Sequence, residues 1–116
     1  MCLSTIDKKT KDWKVGYKVF TLQDKKLFPI YYGTTIPFEE NKWIRDINNS
    51  FIEIKDNEKY KTGFHFFRYK KDAKIFVTYR SSRVIRKVKV RSLTATGAQG
   101  ISETGVAKEI FITGEE

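Results

Sequence analysis

Polar and apolar residues alternate with a period of two along most of the chain, and glycine or clustered polar residues interrupt the alternation. GYKVFTL (16–22) alternates out of Gly16, QDKK (23–26) reads as a turn, and LFPIYY (27–32) returns as a second strand. Pro29 cannot donate to a ladder, which predicts that this strand lies at an edge or breaks there. FEENKWI (38–44) fits either a tight hairpin around Glu40-Asn41 or a short helical turn. FIEIK (51–55) alternates again, with Ile52 and Ile54 on one face, and DNEKYKT (56–62) is a polar stretch leading to Gly63. FHFFR (64–68) sets Phe64 and Phe66 on one face and His65 and Phe67 on the other. Bulk on both faces predicts a strand covered on both sides.

The period changes once. In KKDAKIFVTY (70–79), Ala73 with Phe76 and Val77, and Ile75 with Tyr79, fall at helical spacings on one broad apolar side. A helix this short must be held by packing. RVIRKVKVRSLTAT (83–96) is the longest strand. Val84, Val88 and Val90 point one way, interrupted by Arg86, and Ile85, Lys87, Lys89, Arg91 and Leu93 point the other. GAQGISETG (97–105), with three glycines and no bulky aromatic, predicts a flexible loop, and VAKEIFI (106–112) a last strand. Residues 1–14 are polar and predict a flexible N-terminal segment with Trp13 as first anchor. The sum is one α+β domain over 1–116, a mainly antiparallel sheet of about five to seven strands with one short helix packed on it.

Composition narrows the class. A chain of 116 residues can bury a core without staples, and 40% hydrophobic with 15% aromatic residues is incompatible with general disorder. One cysteine, Cys2, makes neither an internal disulfide nor a thiolate metal site, so no metal or cofactor is expected. The same count predicts a reducing, cytoplasmic setting. No apolar run reaches the ~20 residues of a membrane span, and the start MCLSTIDKKTKDWK lacks a signal peptide's apolar core.

Charge changes the picture more. The net charge is +9, and residues 68–91 alone hold ten cations against the single anion Asp72, which accounts for all of it. A basic segment on a neutral body is the footprint of a polyanion or of an acidic protein face. On a strand, Lys87, Lys89 and Arg91 recur on one side every ~6.5–7 Å, close to the step between phosphates of an extended nucleic-acid strand. Arg80 and Arg83 extend this comb from the preceding turn, and Arg86, Lys70 and Lys71 add to the charge. Tyr69, Tyr79 and Tyr60 are candidate stacking platforms beside the cations. The expected partner is RNA or a nucleoprotein complex, with an acidic protein surface as the alternative.

Catalytic constellations are weaker. His65, the single histidine, lies between phenylalanines with no orienting carboxylate or nucleophile at a diagnostic spacing, so it reads as a packed core residue. The glycine-rich 97–105 lies between strands instead of opening a helix and lacks the phosphate-loop signature.

The order YKVF, GFHFF, DA, VIRKVKV, VAKEIFI resembles a group of small bacteriophage proteins in which such a GFH stretch, a short helix, a V-x-V strand and a terminal AKE strand recur. The start MCLS is similar to starts in that group. The resemblance covers most of residues 17–112 and implies a small accessory protein acting in a bacterial host. It suggests an inhibitor of an RNA-guided defence complex, of the anti-CRISPR type, or a phage structural or assembly protein. A second similarity is to the ADP-ribosyltransferase fold. There YYGT (31–34) resembles a family motif, GFHFF and KKDA resemble its central strand and helix, and Glu109 takes the place of its catalytic glutamate. Tyr32 stands where that family carries a histidine. This resemblance implies an alternative enzymatic role using Glu109, Tyr32 and His65.

Overall fold

The computed structural model describes residues 3–28, 38–47, 50–54, 58–77 and 82–114. Along these run β1 (Thr5–Ile6), β2 (Val15–Gln23), β3 (Lys26–Phe28), β4 (Trp43–Arg45), β5 (Phe51–Glu53), β6 (Lys59–Lys61), β7 (Phe64–Phe67), α1 (Lys70–Val77), β8 (Arg83–Gln99) and β9 (Ser102–Ile112). Seven strands form one antiparallel sheet and β5–β6 a second, two-stranded one, with α1 the one helix among the described residues. The α+β architecture therefore holds. No helix among the described residues is long and apolar enough to cross a membrane.

The larger sheet closes on itself. β2 pairs with β8, β8 with β9, β9 with β7, and β7 returns to β2 through Tyr17↔Phe67. Inside this ring lie Phe20, Phe66, Val88, Val90, Ala107, Ile110 and Ile112, joined by Leu27 of β3. Phe66 fills the centre: a Cβ at Gly16 or Gly105 would overlap its ring, so those two positions leave room for it. Full burial of such a side chain contributes about 1.5–3 kcal/mol. Beyond Tyr17↔Phe67 the β2–β7 seam is spanned by a side chain, as the Lys18 ammonium donates to the His65 carbonyl at 2.7 Å. Burial pushes the Lys18 amine down to about 8.

Two patches on the outside of the ring are covered. Over one end, α1 lays Ala73 and Val77 on Val19, Phe67, Ile85 and Tyr17. Elsewhere, Leu3 and Ile6 of the N-terminal segment join Ile52, Ile54 and Tyr60 of the small sheet over Ala95 and Val106.

Several expectations are corrected. Residues 97–105 are not a flexible loop, because β8 and β9 pair up to Gln99↔Ser102 and leave a two-residue turn, Gly100-Ile101. The small residues that suggested a loop are there for close approach: a Cβ at Gly97 would overlap the Thr5 carbonyl. That approach also overturns the flexible N-terminus over its described part. Leu3 is buried, Thr5↔Ala98 and Ile6↔Gly97 pair, and the backbone N–H of Lys11 donates to Thr96 Oγ1 at 3.0 Å.

Residues 38–44 form neither a hairpin nor a helical turn. Phe38 bridges to Leu27, Asn41 takes φ 60°, and the chain then enters β4 beside β9. The polar stretch 56–62 contains β6, whose central Tyr60 is buried. Ile75 is exposed on α1. Leu93 packs against the core of Val88 and Val90, not beside Lys89, because Ser92 takes φ 57° just before the register slips between Leu93 and Ala95. This bulge reverses the alternation. QDKK turns as expected, with Asp24 and Lys25 both at positive φ, the pair of values a two-residue hairpin loop requires. Pro29 and the rest of its strand lie outside the described residues.

Candidate functional site

The comb on β8 is built as its alternation dictates, but only part of it is bare. Val15 of β2, Lys89 of β8, Phe111 of β9 and Trp43 of β4 form one row across four neighbouring strands, about 14 Å long at normal strand spacing. The adjacent row is Arg91, Glu109 and Arg45. Tyr17 and Lys87 pair on the other side. Val15 is 39% exposed, an unusual state for a valine in the middle of a sheet, because α1 stops short of it.

Aromatic rings underlie the cations. Trp43 and Phe111 sit 5.7 Å apart in a tilted pair. The Arg91 guanidinium lies 3.8 Å from the Trp43 ring centre, and the Lys89 ammonium 5.3 Å from that of Phe111. Glu109 accepts hydrogen bonds from Arg91 and, at 3.1 Å, from Arg45. The Arg91 bond foremost, with Arg45 beside it, holds the Glu109 carboxyl below the usual carboxylate range. Glu109 thus fixes two of the cations of this end, Arg91 and Arg45, while Lys89 stands over Phe111 in the neighbouring row. A guanidinium held flat on an indole presents its second face outward, where a planar π-system can stack.

A second group lies before α1. Arg68 stands 5.0 Å from the Trp13 ring and 5.1 Å from that of Tyr69, and the Lys71 ammonium is 5.5 Å from the Tyr69 ring. Arg68 also reaches Glu103 at 3.4 Å. Tyr69 and Lys71 are therefore an aromatic–cation pair, and Lys70 begins the helix beside them.

The remaining expected residues disperse. Arg86 turns toward the Val84–Val88 side and donates to the Ile85 carbonyl, so it leaves the comb. Arg83 keeps the comb's side but is separated from Lys87 by Ile85, which α1 covers. Tyr60 is no platform: its hydroxyl accepts from the Leu3 N–H at 3.2 Å and bonds His65 Nε2 at 2.9 Å. The His65 ring also bonds the Gly63 backbone, and a neutral imidazole that donates its one N–H there accepts the Tyr60 O–H at Nε2. Burial, then the charge of Lys18, pushes the His65 imidazole down to about 3. His65 and Glu109 are thus each bound to a different set of partners. Arg80, Tyr79 and Tyr32 lie outside the described residues.

Sequence reasoning missed Trp43, Phe111 and Arg45, and it read Trp13 only as an anchor and Arg68 only as part of the charge. Phe111 and Glu109 were readable as one face of β9, since Ile110 and Ile112 take the other. Trp43 was hidden by the ambiguity of 38–44. No protein-family model, curated protein or solved structure matches the chain.

Proposed function

We propose that the protein is a non-catalytic binder of single-stranded RNA and that the bare end of the β8 face is its contact surface. The observation that carries this reading is the row Lys89–Phe111–Trp43 with Arg91 stacked on Trp43. Alternating cations meet successive phosphates, and the guanidinium and ring faces between them accept unpaired bases. The mechanism is occupancy: side-chain cations replace the strand's counterions and exclude its other ligands. The resemblance to small phage proteins implies a setting for such occupancy, the RNA-lined groove of a host's RNA-guided defence complex.

The test is binding of a labelled single-stranded RNA decamer across a salt series, with Lys87, Lys89 and Arg91 changed together to glutamate. The expected result is a steep salt dependence in the natural protein and at least a 100-fold loss in the variant. The salt slope falls by about two, at ~0.7 per phosphate contact for single strands. Circular dichroism confirms that the variant is folded. A folded variant that binds as the natural protein does would refute the assignment.

A further inference from the structure

Beside the aromatic–cation row, the molecule holds a cleft of about 350 Å³. One wall is the N-terminal segment from Thr10 to Lys14, and the other is β8 from Arg91 to Leu93. Arg91 therefore belongs both to the proposed phosphate face and to the rim of this cleft.

Both walls are fixed. The Lys11 N–H donates to Thr96 Oγ1, and the Val90 N–H donates to the Lys14 carbonyl at 2.8 Å. Trp13 meets Phe66 in a T-shaped contact at 6.3 Å and carries Arg68 5.0 Å from its ring centre, so its indole is held in place. On the β8 wall, Ser92 takes φ 57° in the interior of the longest strand. A non-glycine residue there costs on the order of 1 kcal/mol, and such strain concentrates where a side chain is being re-aimed. Here the bulge turns Leu93 into the core and leaves Ser92 exposed at the cleft.

The lining sorts by chemistry. Trp13 and Leu93 supply apolar surface, Thr10 and Ser92 supply hydroxyls that donate or accept, and Arg91 and Lys11 supply positive charge. Each of these charges has a partner: Asp12 is engaged by Lys14 at 2.8 Å, Lys11 by Asp7 at 3.7 Å, and Arg91 by Glu109. An indole and a leucine, two hydroxyls and cations are the kinds of group that a base, its edge and a phosphate require. The volume is at the small end of ligand clefts.

We infer that this cleft takes one unpaired base of the RNA strand whose backbone follows Lys87, Lys89 and Arg91, with Trp13 as its stacking wall. The inference rests on the RNA reading above. It adds base dependence, where phosphate contacts alone would leave every sequence equivalent.

The test compares an RNA decamer with a decamer of the same backbone in which every base is absent. Thr10→Trp fills the cleft from an exposed wall position without touching the β8 face. The natural protein is expected to bind the complete decamer at least fivefold tighter than the abasic one, the low end of base–aromatic stacking. In Thr10→Trp the two affinities converge on the abasic value. A measurement on the natural chain needs no variant: 2-aminopurine, placed at each position in turn, is expected to be quenched at one position by the indole.

Equal affinity of the natural protein for both decamers, or full discrimination retained by a folded Thr10→Trp, would overturn the cleft assignment while leaving the phosphate face standing. Binding of neither decamer would remove the phosphate face and the cleft together.

Discussion

Ile85 and Lys89 point from the same side of β8, four residues and about 13 Å apart, yet they live in different solvents. Ile85 is buried with Val19, Phe67 and Ala73 under α1. Lys89 is exposed above Phe111, with Val15 open beside it. The backbone geometry of the two ends is alike, because β2 pairs with β8 through both. What differs is the length of the cover, since α1 is eight residues long and ends before the second row. One face of one strand pair thus serves as core at one end and stays open to solvent at the other, where we propose that RNA binds.

Exchanging the two residue types tests that division. Ile85→Lys places an ammonium under the helix beside Phe67 and is expected to cost about 4 kcal/mol or more, enough to abolish cooperative thermal unfolding. Lys89→Ile is expected to leave the melting temperature nearly unchanged while weakening RNA binding five- to tenfold. Equal melting temperatures for the two variants would mean that the helix does not divide the face.

The second covered patch gives a sharper contrast through pH. His65 is pushed down to about 3 from an ordinary value near 6.5, so the folded state holds it neutral where the unfolded chain takes up a proton. Its contribution is fully present above pH 6.5 and is lost as pH falls toward 3. The expected loss is roughly 3–5 kcal/mol over that window, read from urea unfolding at successive pH values. His65→Gln removes most of that slope. A slope unchanged by His65→Gln would assign the acid sensitivity to other groups.

The smallest effect on folding is expected at the bare end itself. Glu109→Gln removes the carboxylate that pairs with Arg91 and Arg45 and frees both. Stability changes little, as for most exposed ion pairs, and RNA affinity rises two- to fivefold with a steeper salt dependence. Weaker binding would show that the carboxylate's role is to orient Arg91 on Trp43. Turnover of NAD that is lost in Glu109→Gln would favour the enzymatic reading implied by the transferase resemblance.

The fold was legible wherever alternation was strong. The β2 and β8 patterns, the Phe66/Phe67 split and the helix at 70 all follow from period, because each apolar face finds a partner. Legibility failed where small or polar residues serve long-range packing. Gly97 and Gly105 read as loop because nothing local shows that Thr5 and Phe66 must approach them. Ser92 gave no sign of a bulge, being neither glycine nor asparagine, so Leu93 was placed on the wrong face. The cations of the site were visible as charge. Their aromatic floor was not, because Trp43 arrives from a strand whose neighbour, β9, lies more than sixty residues ahead.

The N-terminal segment also sets an order of events. β8 and β9 meet across a two-residue turn, and β2 and β3 across another, so both hairpins can zip locally. Ring closure through Tyr17↔Phe67 must wait for them, and the tie between Asp7 and Thr96 spans 89 positions. Loop-closure entropy places such a contact late in folding and makes it the first to let go under strain. A ligand held between the cleft wall and β8 would act as a clasp, fastening the segment from Thr10 to Lys14 to the β8–β9 hairpin.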